Sequence, residues 1–154
     1  MSAEKDFAGF VWRECKVDNI PDDVVKSAVV GGNDSDGCPI YIGKSNYNND
    51  VIPAKVMPTK KAAYIAYSGK EHLVPEVEIL CERKFKWVSW QKGDQVPKNA
   101  VIGGKTSNED LYIGRAEHNG ALTIGKLHHS HNTIYIPYGG KEHPMNKGEV
   151  LVFE

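Results

Sequence analysis

The sequence is poor in the features that mark specialised protein classes. Only three of its 154 residues are cysteines, Cys15, Cys38 and Cys81. They are too few and too scattered for a disulfide framework or a zinc ribbon, and read as free or buried thiols of a reducing compartment. The longest unbroken apolar run is Ala62 to Tyr67, against the roughly 18–20 residues that span a bilayer, so no membrane insertion is expected. The amino end, Met1 to Phe10, carries charges where a secretion signal needs its apolar segment. With no signal peptide, cytoplasmic residence or release by a non-classical route is the expectation. An excess of one charge is also missing. Nineteen Lys and Arg face 20 Asp and Glu, for a net charge of -1 and a pI of about 6.6. That leaves no basic surplus to neutralise a run of phosphates, which argues against nucleic acid as a partner.

Long helices are missing as well. Fifteen glycines and eight prolines interrupt the chain, and no apolar stripe of helical period extends beyond two turns. What fills the space is a series of short Val-, Ile- and Tyr-rich runs, among them Ile40-Tyr41-Ile42, Tyr64-Ile65, Leu111-Tyr112-Ile113 and Ile134-Tyr135-Ile136. Such runs bounded by turn residues are strands. Asn119-Gly120 between two of them marks a two-residue hairpin, because a type I′ turn needs positive φ at both positions.

The most informative feature is an internal repeat. Tyr41-Ile42-Gly43-Lys44 returns 71 residues later as Tyr112-Ile113-Gly114-Arg115, and Gly69-Lys70-Glu71-His72 as Gly140-Lys141-Glu142-His143. From Tyr41 to Leu80, 14 of 40 positions match their counterparts without a gap, which places duplication beyond chance. With one residue of slippage, Ala28 to Gly32 meets Ala100 to Gly104, and Trp12 and Trp90 head the two copies. The expected organisation is an arm over residues 1–11, one repeat over 12–82 and a second over 83–154. About 70 residues of short strands bury little surface alone, so the copies are expected to share one core about a pseudo-two-fold axis.

Pro97-Lys98-Asn99-Ala100-Val101-Ile102-Gly103-Gly104, Leu111-Tyr112-Ile113-Gly114-Arg115, Gly125-Lys126-Leu127 and Tyr135-Ile136-Pro137-Tyr138-Gly139-Gly140-Lys141-Glu142-His143 resemble the DM-nine repeat. That family occurs in invertebrates, in the amino-terminal part of natterin-type fish toxins and in small invertebrate lectins. The first copy departs from the pattern at Val25, Ala54, Ala66 and Ser68, where the second has Pro97, Gly125, Pro137 and Gly139. As a pair of repeats the chain is similar to the mollusc-type mannose-binding lectins. The resemblance implies an all-β fold of two tandem repeats of short antiparallel strands with pseudo-two-fold symmetry. It also implies a homodimer, mannose and mannose-rich microbial glycans as partners, no calcium or other cofactor, and a role in innate recognition.

A sugar ring offers neighbouring hydroxyls that both donate and accept. A carboxylate can accept from two of them while Lys or Arg donates to oxygens. In the family the basic residue after Tyr-x-Gly is the natural contact, which here is Lys44 and Arg115, with an upstream acid as partner. The candidate carbohydrate-binding set is Asp22 or Asp23 with Lys44, and Asp94 with Arg115; the plain alternative is a pair of surface ion pairs, each contributing under about 1 kcal/mol. Lys55 and Lys126, with Glu71 and Glu142, are also repeated. They suit either the lining of the same pocket or bridges between strands.

Other candidates fail on chemistry. Gly104-Lys105-Thr106 lacks the upstream glycine of a phosphate loop, whose place is taken by Asn99. Asp34-Ser35-Asp36-Gly37 has Gly32 and Gly43 where a calcium loop needs its terminal carboxylates, and reads as a surface turn. His128, His129 and His131 are the only histidine cluster. His129 and His131 would share one side of a strand, but the first copy has Met57, Pro58 and Lys60 at the cluster's positions, so no metal is assigned. Glu71-His72 and Glu142-His143 have no nucleophile in a recognisable elbow, so no enzyme is expected.

Overall fold

A computed structural model describes residues 3–5 as backbone, together with 11–82 and 84–154. The rest of the expected amino-terminal arm and Arg83 lie outside the described residues. Strand β1 (Ala3–Lys5) pairs antiparallel with β2 (Val11–Lys16). The first repeat continues as α1 (Asp22–Ser27), β3 (Val30–Asn33), β4 (Pro39–Tyr47), β5 (Asp50–Met57), β6 (Ala62–Tyr67), β7 (Lys70–Leu73) and β8 (Glu76–Cys81). The second runs β9 (Phe85–Gln91), β10 (Ile102–Lys105), β11 (Asp110–His118), β12 (Ala121–His128), β13 (Thr133–Tyr138), β14 (Lys141–Met145) and β15 (Lys147–Phe153). Among the described residues the chain is all-β apart from α1 and two single 3-10 turns, as the glycine and proline spacing leads one to expect.

The hairpin turns behave as their side chains require. Asn119 and Gly120 both have positive φ, at 49° and 82°, and Asn48 and Asn49 do the same in the first copy. Ser68 sits at φ 50° where the second copy has Gly139 at φ 61°. The substitution therefore leaves the turn's backbone unchanged.

Six strands close into a barrel in which the repeats exchange edges. β3 pairs with β4 of its own copy and, through Asn33 opposite Leu122, with β12 of the other. β10 pairs with β11 and, through Lys105 opposite Val51, with β5. The hairpins β4–β5 and β11–β12 complete the ring. This exchange explains the repeated Gly-Gly: a Cβ on Gly32 would run into the Leu122 carbonyl, and one on Gly104 into the Val51 carbonyl. Inside, Ile40, Ile42 and Leu80 of one copy pack with Val101, Ile113, Ile124 and Leu151 of the other. The shared core expected from the duplication is this cluster.

A second seam holds the repeats on the other side. Lys55, 4% exposed, pairs with Glu71 at 3.0 Å and donates to the Pro137 carbonyl of the other copy at 2.7 Å. Lys126, 7% exposed, pairs with Glu142 at 3.1 Å and donates to the Ala66 carbonyl at 2.7 Å. Each glutamate accepts a second bond across the axis, Glu71 from Gly140 N–H and Glu142 from Gly69 N–H. Of the two roles open to these residues, the geometry is that of a bridge, here between repeats.

The strand register corrects one alignment. Leu80 and Leu151 are counterparts at the offset of 71; Leu80 lies opposite Trp12 and Leu151 opposite Trp87. Trp87 is thus the structural equivalent of Trp12, and Trp90 that of Cys15. Sequence spacing misleads here because the first copy spends three more residues between this strand and its Ala-Val segment. Those residues fall where α1 forms, after Pro21 with its fixed φ and with Asp22 and Asp23 in the first turn.

Candidate functional site

Lys44 on β4 and Arg115 on β11 occupy equivalent positions in the two copies. Lys44 on β4 lies opposite Glu78 on β8, which lies opposite Glu14 on β2. Arg115 on β11 lies opposite Glu149 on β15, which lies opposite Ser89 on β9. Alternation along a strand puts each row on one face. Under each cation lies an indole. The Lys44 ammonium is 4.4 Å from the Trp12 ring centre, and the Arg115 guanidinium carbon is 3.9 Å from that of Trp87, within range for a cation–π contact. Arg115 is held further by Nε donating to Glu149 at 2.9 Å and Nη1 donating to the Gly31 carbonyl of the other copy at 2.8 Å.

Each row opens into a pocket. The first, about 430 Å³, is lined by Lys44, Glu14, Glu76, Glu78 and Cys15 among others. The second, about 640 Å³, is lined by Arg115, Glu149, Asp94 and Trp90 among others. The two are related by the duplication, with Cys15 where the second has Trp90. Burial pushes the Cys15 thiol up, so it stays protonated at neutral pH.

The expected site residues are distributed unevenly. Asp94 and Arg115 line the same pocket, with Asp94 accepting from the Gln91 N–H at 2.9 Å in a tight turn. Asp22 and Asp23 sit in the first turn of α1. Asp23, with a side chain 77% exposed, faces Arg13 at 3.9 Å, and neither aspartate lines the Lys44 pocket. Its carboxylates are instead glutamates. Glu78 and Glu149 are counterparts at the offset of 71, and the Trp12–Trp87 equivalence follows only from strand register.

The remaining motifs take other roles. Asp34 and Asp36 form a turn clasped by Lys60, at 2.6 Å and 2.9 Å. His129 and His131 belong to a 3-10 turn, not a strand, so they do not share a strand face. His131 instead stacks on His128 at 3.7 Å, and His128 faces Glu109 at 3.3 Å. Among the described residues no group of three or more His, Cys, Asp or Glu is gathered as a metal site.

A closed barrel of exchanged hairpins, bearing the same cation–indole–carboxylate site twice, defines a duplicated β-repeat protein. The sequence model of the DM9 repeat matches residues 33–145, and the chain belongs to the DM9 repeat family. It is similar to Natterin-4 of Thalassophryne nattereri, at 37% identity over 118 residues, which is 72% of this chain and 28% of that protein. It is also similar to Natterin-3 of the same fish, at 32% over 91 residues, covering 57% and 23%. The chain thus spans about a quarter of the length of the curated relatives it matches. Among solved structures, the nematode sperm cell motility protein MFP2B shares the fold, with a TM-score of 0.69 over 92% of this chain and 45% of that one, at 15% identity.

Proposed function

We propose that this chain is a non-catalytic, calcium-independent carbohydrate-binding protein that prefers mannose and mannose-rich glycans and acts in recognition of microbial surfaces. The observation that carries this reading is the duplicated pocket, in which a cation fixed on an indole stands beside a carboxylate. A sugar hydroxyl pair can donate to the carboxylate and accept from the cation, and the other pocket-lining polar groups complete the set. In the second pocket these are Arg115, Glu149 and Asp94. In the first they are Lys44 and Glu78, with Asp22 or Asp23 acting from α1 only if a glycan extends that far. One small site binds weakly. Two per chain, and four in a homodimer, supply avidity on a rigid particle.

The test is mannose titration of Lys44→Ala and Arg115→Ala separately, with agglutination of mannan-bearing cells as the second readout. Each variant is expected to lose one site, and free mannose, but not a chelator, to abolish agglutination. Unchanged affinity in both variants, or loss of agglutination on chelation, overturns the reading.

A second reading, a protein-interaction module, is favoured by β9. This strand closes the sheet order with β15 on one side and no described strand on the other. It has no proline or bulge and a single lysine, Lys86, to guard the edge. A glycan array without hits, alongside a protein partner recovered by pull-down and lost in Val88→Lys, would favour that reading.

A further inference from the structure

The two copies diverge at one side-chain cluster whose backbone they share. In the first, the Tyr47 hydroxyl donates to Nδ1 of His72 at 3.0 Å, while Nε2–H of His72 donates to the Tyr67 carbonyl at 3.0 Å. The offset of 71 carries these residues to His118, His143 and Tyr138. Nε2–H of His143 keeps its donation to the Tyr138 carbonyl, at 2.9 Å, which fixes the tautomer and leaves a lone pair on Nδ1. The phenol that occupies that lone pair in the first copy is here an imidazole. The His118 ring centre lies 4.3 Å from that of His143, with the planes 38° apart, and 5.1 Å from Tyr138. His118 also lines an open pocket of about 400 Å³ with Asn33, Glu117 and Asn119.

We infer that His118 and His143 form an exchangeable two-imidazole site for a late first-row divalent metal ion, with water in the remaining positions. An ion about 2.0–2.1 Å from each nitrogen, with the two bonds near a right angle, sets ring centres about 4.5 Å apart, close to the spacing observed. Bis-imidazole donors favour Cu2+ over Ni2+ and Zn2+. The stacked pair His128 and His131 is unsuited to the same role. Its planes are 12° apart, His131 Nδ1 meets the Tyr135 hydroxyl at 3.0 Å, and His128 Nε2 faces Glu109. With no third His, Cys, Asp or Glu gathered among the described residues, the site stays open and its ion exchangeable.

The test is calorimetric titration of the full chain with Cu2+ and with Ni2+, accompanied by paramagnetic broadening of the histidine ring signals in NMR. One equivalent is expected, with His118 and His143 broadened first. His118→Tyr rebuilds the first copy's packed pair, so it should keep the fold and weaken binding by about tenfold or more. Tyr47→His should create the second pair and raise the stoichiometry from one to two. His131→Asn should change neither. Absence of binding in the parent, unchanged binding in His118→Tyr, unchanged stoichiometry in Tyr47→His, or loss of the site in His131→Asn would each overturn the inference.

Discussion

Arg115 lies on Trp87 with its guanidinium carbon 3.9 Å from the ring centre, and the same side chain reaches across the barrel to the Gly31 carbonyl. A residue of the second repeat's pocket is thereby a tie to the first repeat's β3. The site and the seam between the copies thus share one guanidinium.

Arg115→Lys should separate charge from geometry. Lysine keeps the positive charge but cannot serve Glu149, Gly31 and the Trp87 face together, because it lacks the planar fork. Arg115 is only 17% exposed, so the lost charge-assisted bonds should lower stability by about 1–2 kcal/mol in urea unfolding. Mannose affinity at the second pocket should fall while the Lys44 pocket is unaffected. Calorimetry that finds both pockets unchanged would show that the fork has no role in binding.

The buried seam makes a larger prediction. Lys126→Met leaves Glu142 nearly enclosed without its cation and the Ala66 carbonyl without its donor. Removing one partner of such a pair costs about 3–5 kcal/mol. The double change Lys126→Met with Glu142→Gln should recover part of that loss, since glutamine still accepts from Gly69 N–H. A double-mutant cycle in urea reads the coupling directly. Additive losses would mean that the two side chains act independently.

Much of the fold is legible in the sequence because duplication writes it twice. The Tyr-Ile-Gly runs recur at an offset of 71 and the Gly-Gly pairs at 72, and the Asn119-Gly120 turn has Asn48-Asn49, also at positive φ, as its counterpart. The candidate site is half legible. Lys44 and Arg115 follow from the repeated strand, and Glu78 and Glu149 stand at a repeated position with no local sign that they face those cations. That facing is set by pairing between β4 and β8, and between β11 and β15, strands more than 30 residues apart. The Trp12–Trp87 match is hidden for a different reason. The extra residues that make α1 shift the offset, so that neither Trp87 nor Trp90 falls at the repeat spacing from Trp12.

Gly32 and Gly104 predict how strictly the exchange of edges is enforced. Alanine at either would drive a Cβ into a carbonyl of the other repeat, with Leu122 or Val51 as the obstacle. Backbone must move at a barrel seam, and a loss of about 1–3 kcal/mol or more is expected for each. Gly37→Ala is the comparison. Nothing lies within 4 Å of its Cβ, and only its φ of +88° opposes the change, so the cost should be about 1–2 kcal/mol. Thermal unfolding of the three variants should rank Gly37→Ala as the mildest, and any other order would refute steric control at the seam.

Stability should decline with acidification in two steps. Burial, then the neighbouring His131, hold the His128 imidazole below its ordinary value of 6.5, the attraction of Glu109 notwithstanding; His118 is lowered by burial and His143. For such groups the unfolded chain takes up protons first, so their contribution is complete above about pH 6.5 and is lost as pH falls below it. The second step belongs to carboxylates. Burial pushes Glu109 and Asp34 up, but the Ser130 hydrogen bonds on one and the Lys60 ammonium on the other outweigh it, and both end below their usual values. Their stabilisation is present above about pH 4 and disappears as they are protonated. Urea midpoints measured from pH 8 to pH 3 should therefore be flat above neutrality, bend near pH 6 and bend again near pH 4. His128→Asn should reduce the upper bend and leave the lower one in place. A midpoint that stays constant between pH 7 and pH 5 would show that neither histidine is coupled to folding.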